Sequence, residues 1–305
     1  MKNSPKNKLI TFITDEVIKK GIFGFLPDKL FITLDYFITY RRMPNLHNPK
    51  TISEKTQWIK IYGGLEKYTE YTDKLKVRDF IRKTIGKEHL VPLIGAWKKF
   101  EDIPFDKLPC QFVLKATHGS AYVFICKDKS LLDKNLLKKT VTKWMQENFY
   151  KITREIQYKR CEPMIICEKY LEDESGGLTD YKIYCSHGKP HIVEVIWDRF
   201  TEHKCDNFLN LNWEKLPISY PEHPSSKETI KRPENLEEML DIAKKLSIHF
   251  PFVRVDLYSV KNKIYFGELT FTPDNGLGVF EPPNAYYQLG ELIDLSKYNK
   301  NQIIR

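Results

Sequence analysis

Residues 254–276 read RVDLYSVKNKIYFGELTFTPDNG, and the register in which this stretch pairs with itself decides what the fold can do. Two runs rich in branched and aromatic residues, 253–260 and 264–271, flank the polar Lys261-Asn262-Lys263 and predict a β-hairpin. Side chains alternate between faces along a strand, so Arg254 shares a face with Asp256, and Glu268 shares one with Thr270. If all three polar residues form the loop, Asp256 lies opposite Glu268 and Arg254 opposite Thr270. A two-residue loop would oppose Asp256 to Gly267 and split the carboxylates between faces.

Two carboxylates directly opposed in an apolar hairpin repel unless a proton or a cation lies between them. Mg²⁺ suits such a pair, because one or two carboxylates commonly hold it together with substrate phosphates. The competing expectation is an exposed hairpin face whose Arg, Asp and Glu form ordinary surface pairs.

Working outward, the 305 residues suffice for a real core and suggest two packed lobes. Hydrophobic content of 41% and aromatic content of 13% fit a folded globular chain. No apolar run is long enough to span a bilayer, and the first residues lack the apolar segment and cleavage site of a signal peptide, so a cytoplasmic location is expected. Forty-nine Lys and Arg against 40 Asp and Glu leave a formal charge of +9, which favours an anionic partner: a nucleotide, a phosphorylated sugar carrier or a membrane surface. The lysines are interspersed with acids and no nucleic-acid module is present, which argues against DNA or RNA. Six cysteines without a C-x-x-C pair and eight histidines without H-E-x-x-H argue against zinc and against a disulfide framework.

Along the chain, amphipathic helices are expected at 8–22 and 28–42, the second with an apolar face and a basic end that would also suit a membrane surface. Thr51 and Glu54 form a capping-box pattern ahead of a helix reaching Tyr62. The next helix has Asp73 as its expected cap and places Lys74, Arg78 and Arg82 on one stripe, which reads as a solvated basic face. In QFVLKATHGSAYVFIC, Lys115 ends one strand and His118-Gly119-Ser120 turns into the next, a small loop able to fold over phosphates although it lacks P-loop spacing. A helix is expected at 131–150, with Leu132, Leu136 and Leu137 on its packed side. Strands are expected at 164–171, 178–185 and 191–200, with Asp180 and Lys182 on one face and Asp198 and Arg199 at a strand end. The Pro-rich 200–233 reads as loop, and an amphipathic helix precedes the hairpin.

Taken in order, TISEKTQWIK, TDKLKVRDF, FVLKATHGS, IICEKYLED, DYKIYCSHGK, RVDLYSV and YFGELTFTPDNG resemble the ATP-grasp superfamily. The closer resemblance, over about residues 49–295, is to the branch named after teichuronopeptide biosynthesis. It implies an α+β fold in which two α/β lobes with antiparallel sheets enclose ATP, behind a mainly helical N-terminal region. The corresponding division is residues 1–105 for that region and 106–305 for the ATP-grasp domain, with lobe one at about 106–167 and lobe two at about 168–305. By similarity, Lys74, Lys115 and the His118-Gly119-Ser120 loop would bind ATP phosphates. Glu168-Lys169-Tyr170-Leu171 would read the adenine edge, Asp180 the ribose, and Lys182 and Arg199 would lie near phosphates. Asp256, Glu268 and Thr270 would hold Mg²⁺. Thr270 stands where many relatives carry Asn, a better metal ligand, and the His-Gly-Ser loop has fewer glycines than many relatives.

The activity implied is an ATP-dependent carboxylate–amine ligation through an acyl-phosphate, with Arg254 steadying the transferring group. Its substrate would be a uronic acid or amino acid substituent of a bacterial surface polysaccharide, such as a capsule. Two rivals remain: a glycosyltransferase, for which a D-x-D motif is missing, and an ATP-dependent kinase of a glycan.

Overall fold

The structure is a computed structural model that describes residues 25–173, 176–197, 205–222, 225–226 and 229–298. The expected helix at 8–22, and Asp198 and Arg199, lie outside the described residues.

Two antiparallel sheets carry the fold. The smaller contains β1 (Leu93–Trp97), β2 (Phe112–Ala116), β3 (Val123–Cys126) and β4 (Ile165–Lys169) in the order β1-β4-β2-β3. The larger contains β5 (Asp180–Ser186), β6 (Lys189–Trp197), β7 (Cys205–Leu209), β8 (Val253–Val260) and β9 (Lys263–Thr270) in the order β7-β6-β5-β8-β9. Around them lie α1 (Asp28–Tyr40), α2 (Ile52–Tyr62), α3 (Val77–Thr84), α4 (Lys134–Gln146), α5 (Leu236–Ser247) and α6 (Ala285–Glu291). The smaller sheet already begins at Leu93, so it draws a strand from each side of the division at 105/106.

Alternation builds the larger core. Ile183 and Cys185 of β5, Val193 and Val195 of β6, and Val253, Val255 and Leu257 of β8 point to one face, where Met239, Ile242, Ala243 and Leu246 of α5 cover them. Each such side chain contributes roughly 1.5–3 kcal/mol when fully buried. The opposite face is left to Lys182, Tyr184, Glu194, Arg254 and Asp256, all buried as well. On the smaller sheet, Leu137, Val141 and Trp144 of α4 pack on Phe112, Leu114, Ile165 and Cys167.

Several local expectations hold. Thr51 caps α2, its hydroxyl accepting from the Glu54 N–H while Glu54 accepts from the Thr51 N–H. Asp73 caps an intervening turn, accepting from the N–H groups of Leu75 and Lys76, and α3 starts only at Val77. The helix expected at 131–150 begins at Lys134, after Asp133 has capped its first turn, and Leu136 is exposed instead of packed. Cys205–Leu209, expected as loop, is the edge strand of the larger sheet: it pairs along its length with β6, and at its end Leu209 also bridges to Lys215 while the Phe208 carbonyl accepts from the Leu216 N–H.

The hairpin resolves its register in a way the loop alone would not suggest. Val260 pairs with Lys263, so the loop has two residues, Lys261 and Asn262, both at positive φ (51° and 59°). That is the turn whose twist suits a hairpin. The ladder then shifts between Leu257 and Asp256, with Gly267 as the extra residue of a β-bulge, and beyond it Asp256 faces Glu268 and Arg254 faces Thr270. The opposition expected from a three-residue loop is reached through a two-residue loop and a bulge.

Candidate active site

Two ion clusters form where the sheets come together. In the smaller sheet, Glu168 near the end of β4 accepts from Lys115 Nζ of β2 at 2.8 Å and from Arg78 Nη1 of α3 at 2.9 Å. Arg78 also donates through Nη2 to the Val91 carbonyl. Arg78 is therefore part of the site and not of a solvated face. It points inward because α3 packs Val77 and Ile81, which brings the adjacent position 78 to the sheet.

In the larger sheet, neighbouring strands place Glu194, Lys182, Asp256 and Glu268 in one row across β6, β5, β8 and β9. The next row contains Tyr184, Arg254 and Thr270. Arg254 grips Asp256 with two hydrogen bonds, Nε to Oδ1 at 2.8 Å and Nη2 to Oδ2 at 2.9 Å. Lys182 Nζ donates to the same Oδ2, and Arg254 Nη2 also reaches Thr270 Oγ1 at 3.2 Å and Glu268 Oε1 at 3.8 Å. Tyr184 donates its hydroxyl proton to Glu194 Oε2 at 2.8 Å.

Burial sets the electrostatics. It pushes the Glu194 carboxyl above the usual range, with Arg254 and Lys182 pulling the other way. Burial alone would lower Arg254, but Asp256 holds its guanidinium well above its ordinary value.

Lys74 ties the loop of the smaller sheet to the hairpin of the larger. Its Nζ donates to the Gly119 carbonyl at 2.7 Å and stands 3.8 Å from Glu268 Oε2. Burial lowers its pKa and Glu268 opposes that shift. Thus the His118-Gly119-Ser120 loop, the Asp-Lys turn and the hairpin carboxylate meet at one ammonium. Gly119 is required there, since a Cβ would lie 2.5 Å from the Tyr122 ring. His118 turns away instead: it is buried, and its Nε2 lies 2.9 Å from the Trp144 carbonyl. Burial lowers its pKa.

The remaining expected residues are placed less centrally. Ser120 and Lys169 are exposed, and Tyr170 and Leu171 are half-buried in the segment that leaves the smaller sheet for the larger. The Lys169 N–H is bonded to the Pro92 carbonyl. Asp180 is buried at the start of β5, on the same face as Lys182.

Arg78, Tyr184 and Glu194 were missed from the sequence. Glu194 had a signal: in HIVEVIW it is a lone carboxylate flanked on both sides by branched apolar residues. Tyr184 and Arg78 had none.

Asp256 and Glu268 offer hard oxygen donors facing each other on adjacent strands, and the Glu268 side chain is open enough, at 28% exposed, to take a cation, so the donor set fits Mg²⁺. Among the described residues no three His, Cys, Asp or Glu side chains gather to hold a metal. The rest of a Mg²⁺ shell would come from phosphate oxygens and water.

A family model described as TupA-like ATPgrasp matches residues 54–294. No curated protein matches the chain. Among solved structures it is similar to the D-alanine–D-alanine ligase of Bacillus anthracis, at 18% identity over 73% of this chain and 66% of that one, with a TM-score of 0.43. The same ligase complexed with ATP gives 16%, 73%, 65% and 0.44. The ATP-grasp ligase PsnB, complexed with a phosphomimetic variant of a minimal precursor, Mg and ADP, gives 11%, 79%, 64% and 0.41. The chain thus spans a little under two thirds of the length of these structures.

Proposed function

Because the chain belongs to the TupA-like ATP-grasp family, we propose that it is an ATP-dependent ligase joining a carboxylate to an amine through an acyl-phosphate. The observation that carries this is the row of ionisable side chains on the larger sheet, Glu194, Lys182, Asp256 and Glu268, with Lys74 against Glu268 and, across from it, Lys115 of the smaller sheet and Arg78 of α3. Buried cations on both sides favour a polyphosphate, and two opposed carboxylates favour its counter-cation. Asp256 and Glu268 would hold Mg²⁺, which when bound supplies charge neutralisation on the transferring phosphoryl group.

Lys74 and Lys115 bind phosphate oxygens in this scheme, which requires Lys74 to exchange the Gly119 carbonyl for them. Lys182 and Arg254 orient Asp256. Arg254 also offers its Nη2 edge, beside Thr270, to the acyl-phosphate and the oxyanion formed when the amine attacks. The amide forms as phosphate leaves. The segment 168–171 holds the adenine edge and Asp180 the ribose, and the family resemblance assigns Arg199 a phosphate role. Division of the chain at about 105/106 into a helical region and an ATP-grasp domain belongs to the same proposal.

For the acceptor, a groove of about 960 Å³ lined by Pro217, Ser219, Phe280, Glu281 and Tyr286 is the candidate. Tyr220, next to Ser219 in sequence, bonds Asp274 in the turn that follows β9, which links this groove to the hairpin. The resemblance to the teichuronopeptide branch favours a uronic acid or amino acid substituent of a bacterial surface polysaccharide, modified in the cytoplasm.

The test is thermal unfolding with Mg·ATP, Mg·ADP and Mg with UDP-sugars, on the native protein and on Glu268→Gln and Lys74→Met, followed by a screen of carboxylates and amines for ADP release. Saturation at about 100 Kd stabilises by about 2.7 kcal/mol, and both variants should lose most of that. Arg254→Lys should lower turnover about 10²-fold or more, a larger loss than its effect on the Mg·ATP shift. Stabilisation by UDP-sugars alone would replace the ligase with a glycosyltransferase, and a phosphorylated sugar with ADP would replace it with a kinase.

A further inference from the structure

Helix α1 buries Phe31, Ile32, Tyr36 and Ile38 against the body of the protein. Its opposite side is not polar, as a solvated face should be. Leu30 (58% exposed) and Phe37 (42%) lie one above the other with half-buried Leu34 between them, and Phe25 and Met43, which flank the helix, are exposed as well. The positions 30, 34 and 37 follow the helical repeat, and cations stand at both ends of the stripe: Lys29 in the first turn, and Arg41, exposed, as the left-handed cap just past the last turn. The acids of this helix lie on the other side. Asp28 accepts from Tyr150 at 2.8 Å and pairs with Arg154 at 3.4 Å, and Asp35 falls two turns further along the same side.

An apolar stripe edged by cations, with the acids turned away, complements an anionic bilayer: the apolar groups enter the headgroup boundary and the cations meet lipid phosphates. A protein partner's apolar groove would not account for the charge segregation. The formal charge of +9 adds long-range attraction to the same surface. We propose that α1 seats the protein on an anionic lipid surface through Leu30, Leu34 and Phe37, with Lys29 and Arg41 on the phosphates. This is independent of what the nucleotide site does.

The experiment is co-sedimentation of the full chain with vesicles of phosphatidylcholine alone or mixed with phosphatidylglycerol, at low and high salt. The expected result is binding to the anionic vesicles only, at least about tenfold weaker in Leu30→Glu/Phe37→Glu and weaker, with little salt dependence, in Lys29→Glu/Arg41→Glu. Because all four positions are exposed, the thermal midpoint of both variants should match the native protein, which separates lost docking from lost folding. Absence of native binding to the anionic vesicles overturns the proposal, as does binding that survives Leu30→Glu/Phe37→Glu. A concentration-dependent dimer that this double variant dissolves, without vesicle binding, would overturn it in favour of a second copy.

Discussion

Two of the buried carboxylates at the site, Asp256 and Glu168, are held in opposite ways. Asp256 is held by its own sheet: Arg254 sits two residues away on β8 and Lys182 directly across on β5. Glu168 is held from elsewhere, by Lys115 on β2 and by Arg78 on a helix ninety residues earlier. Their surroundings differ too. The Asp256 and Lys182 side chains are 2% and 4% exposed, whereas those of Arg78 and Lys115 are 12% and 18% exposed. A cluster closed within a sheet is dry and rigid, and one assembled between elements keeps a route to water. The first fixes geometry, and the second is free to exchange partners.

Asp256→Asn should separate them most sharply. It leaves Arg254 and Lys182 buried without their shared counter-charge, a loss of about 3–5 kcal/mol in urea unfolding. Gly267→Val tests what positions that cluster. A Cβ there would lie 3.0 Å from the Asp256 carbonyl and 3.2 Å from the Tyr258 ring, and overpacking of this kind costs about 1–3 kcal/mol, read by the same unfolding curve. Glu168→Gln should cost less, about 1–2 kcal/mol, since water reaches the two cations it abandons. If it destabilises as much as Asp256→Asn, the contrast between the clusters fails.

The smallest effect is in pH. Burial raises the Glu194 carboxyl in the fold above its ordinary value of 4.5. The folded chain therefore keeps a proton that the unfolded chain has lost, and stability falls as pH rises through that interval, by at most about 1.4 kcal/mol per pH unit. Unfolding midpoints compared between about pH 5 and about pH 8 should show this decline, and Glu194→Gln should flatten it. A flat native profile would leave Glu194 outside the cluster's electrostatics.

This contrast also explains what could be read from the chain alone. Facing across a sheet follows from alternation, so the sharing of a face by Arg254 and Asp256, and by Asp180 and Lys182, was legible. So was the Thr51–Glu54 capping box, a local pattern of four residues. Arg78 was not, because its partner depends on how α3 docks on the smaller sheet, and its spacing to Lys74 and Arg82 is equally that of a wet face. The edge strand Cys205–Leu209 was hidden in a Pro-rich stretch, and Leu136 looked like core because it is apolar and adjoins Leu137, although it lies off the face of α4 that buries Leu137, Val141 and Trp144. The resemblance supplied the family, but it did not indicate that Lys74 would rest on the Gly119 carbonyl or that Glu168 would be tied down by two cations.

The bulge at Gly267 has a consequence best put as parity. Residues 257–267 separate Asp256 from Glu268, an odd number, and a regular hairpin closed by a two-residue turn sets in opposition only residues separated by an even number. One residue must therefore drop out of the count, and the chain is indifferent to where. Lengthening the turn by one would do it, and so does a glycine set aside in mid-strand. Deleting Gly267 outright would also leave Asp256 facing Glu268, with a straighter strand. A relative with a different turn length can thus carry the same pair, and the quantity to compare between such chains is the odd or even spacing together with the count of set-aside residues.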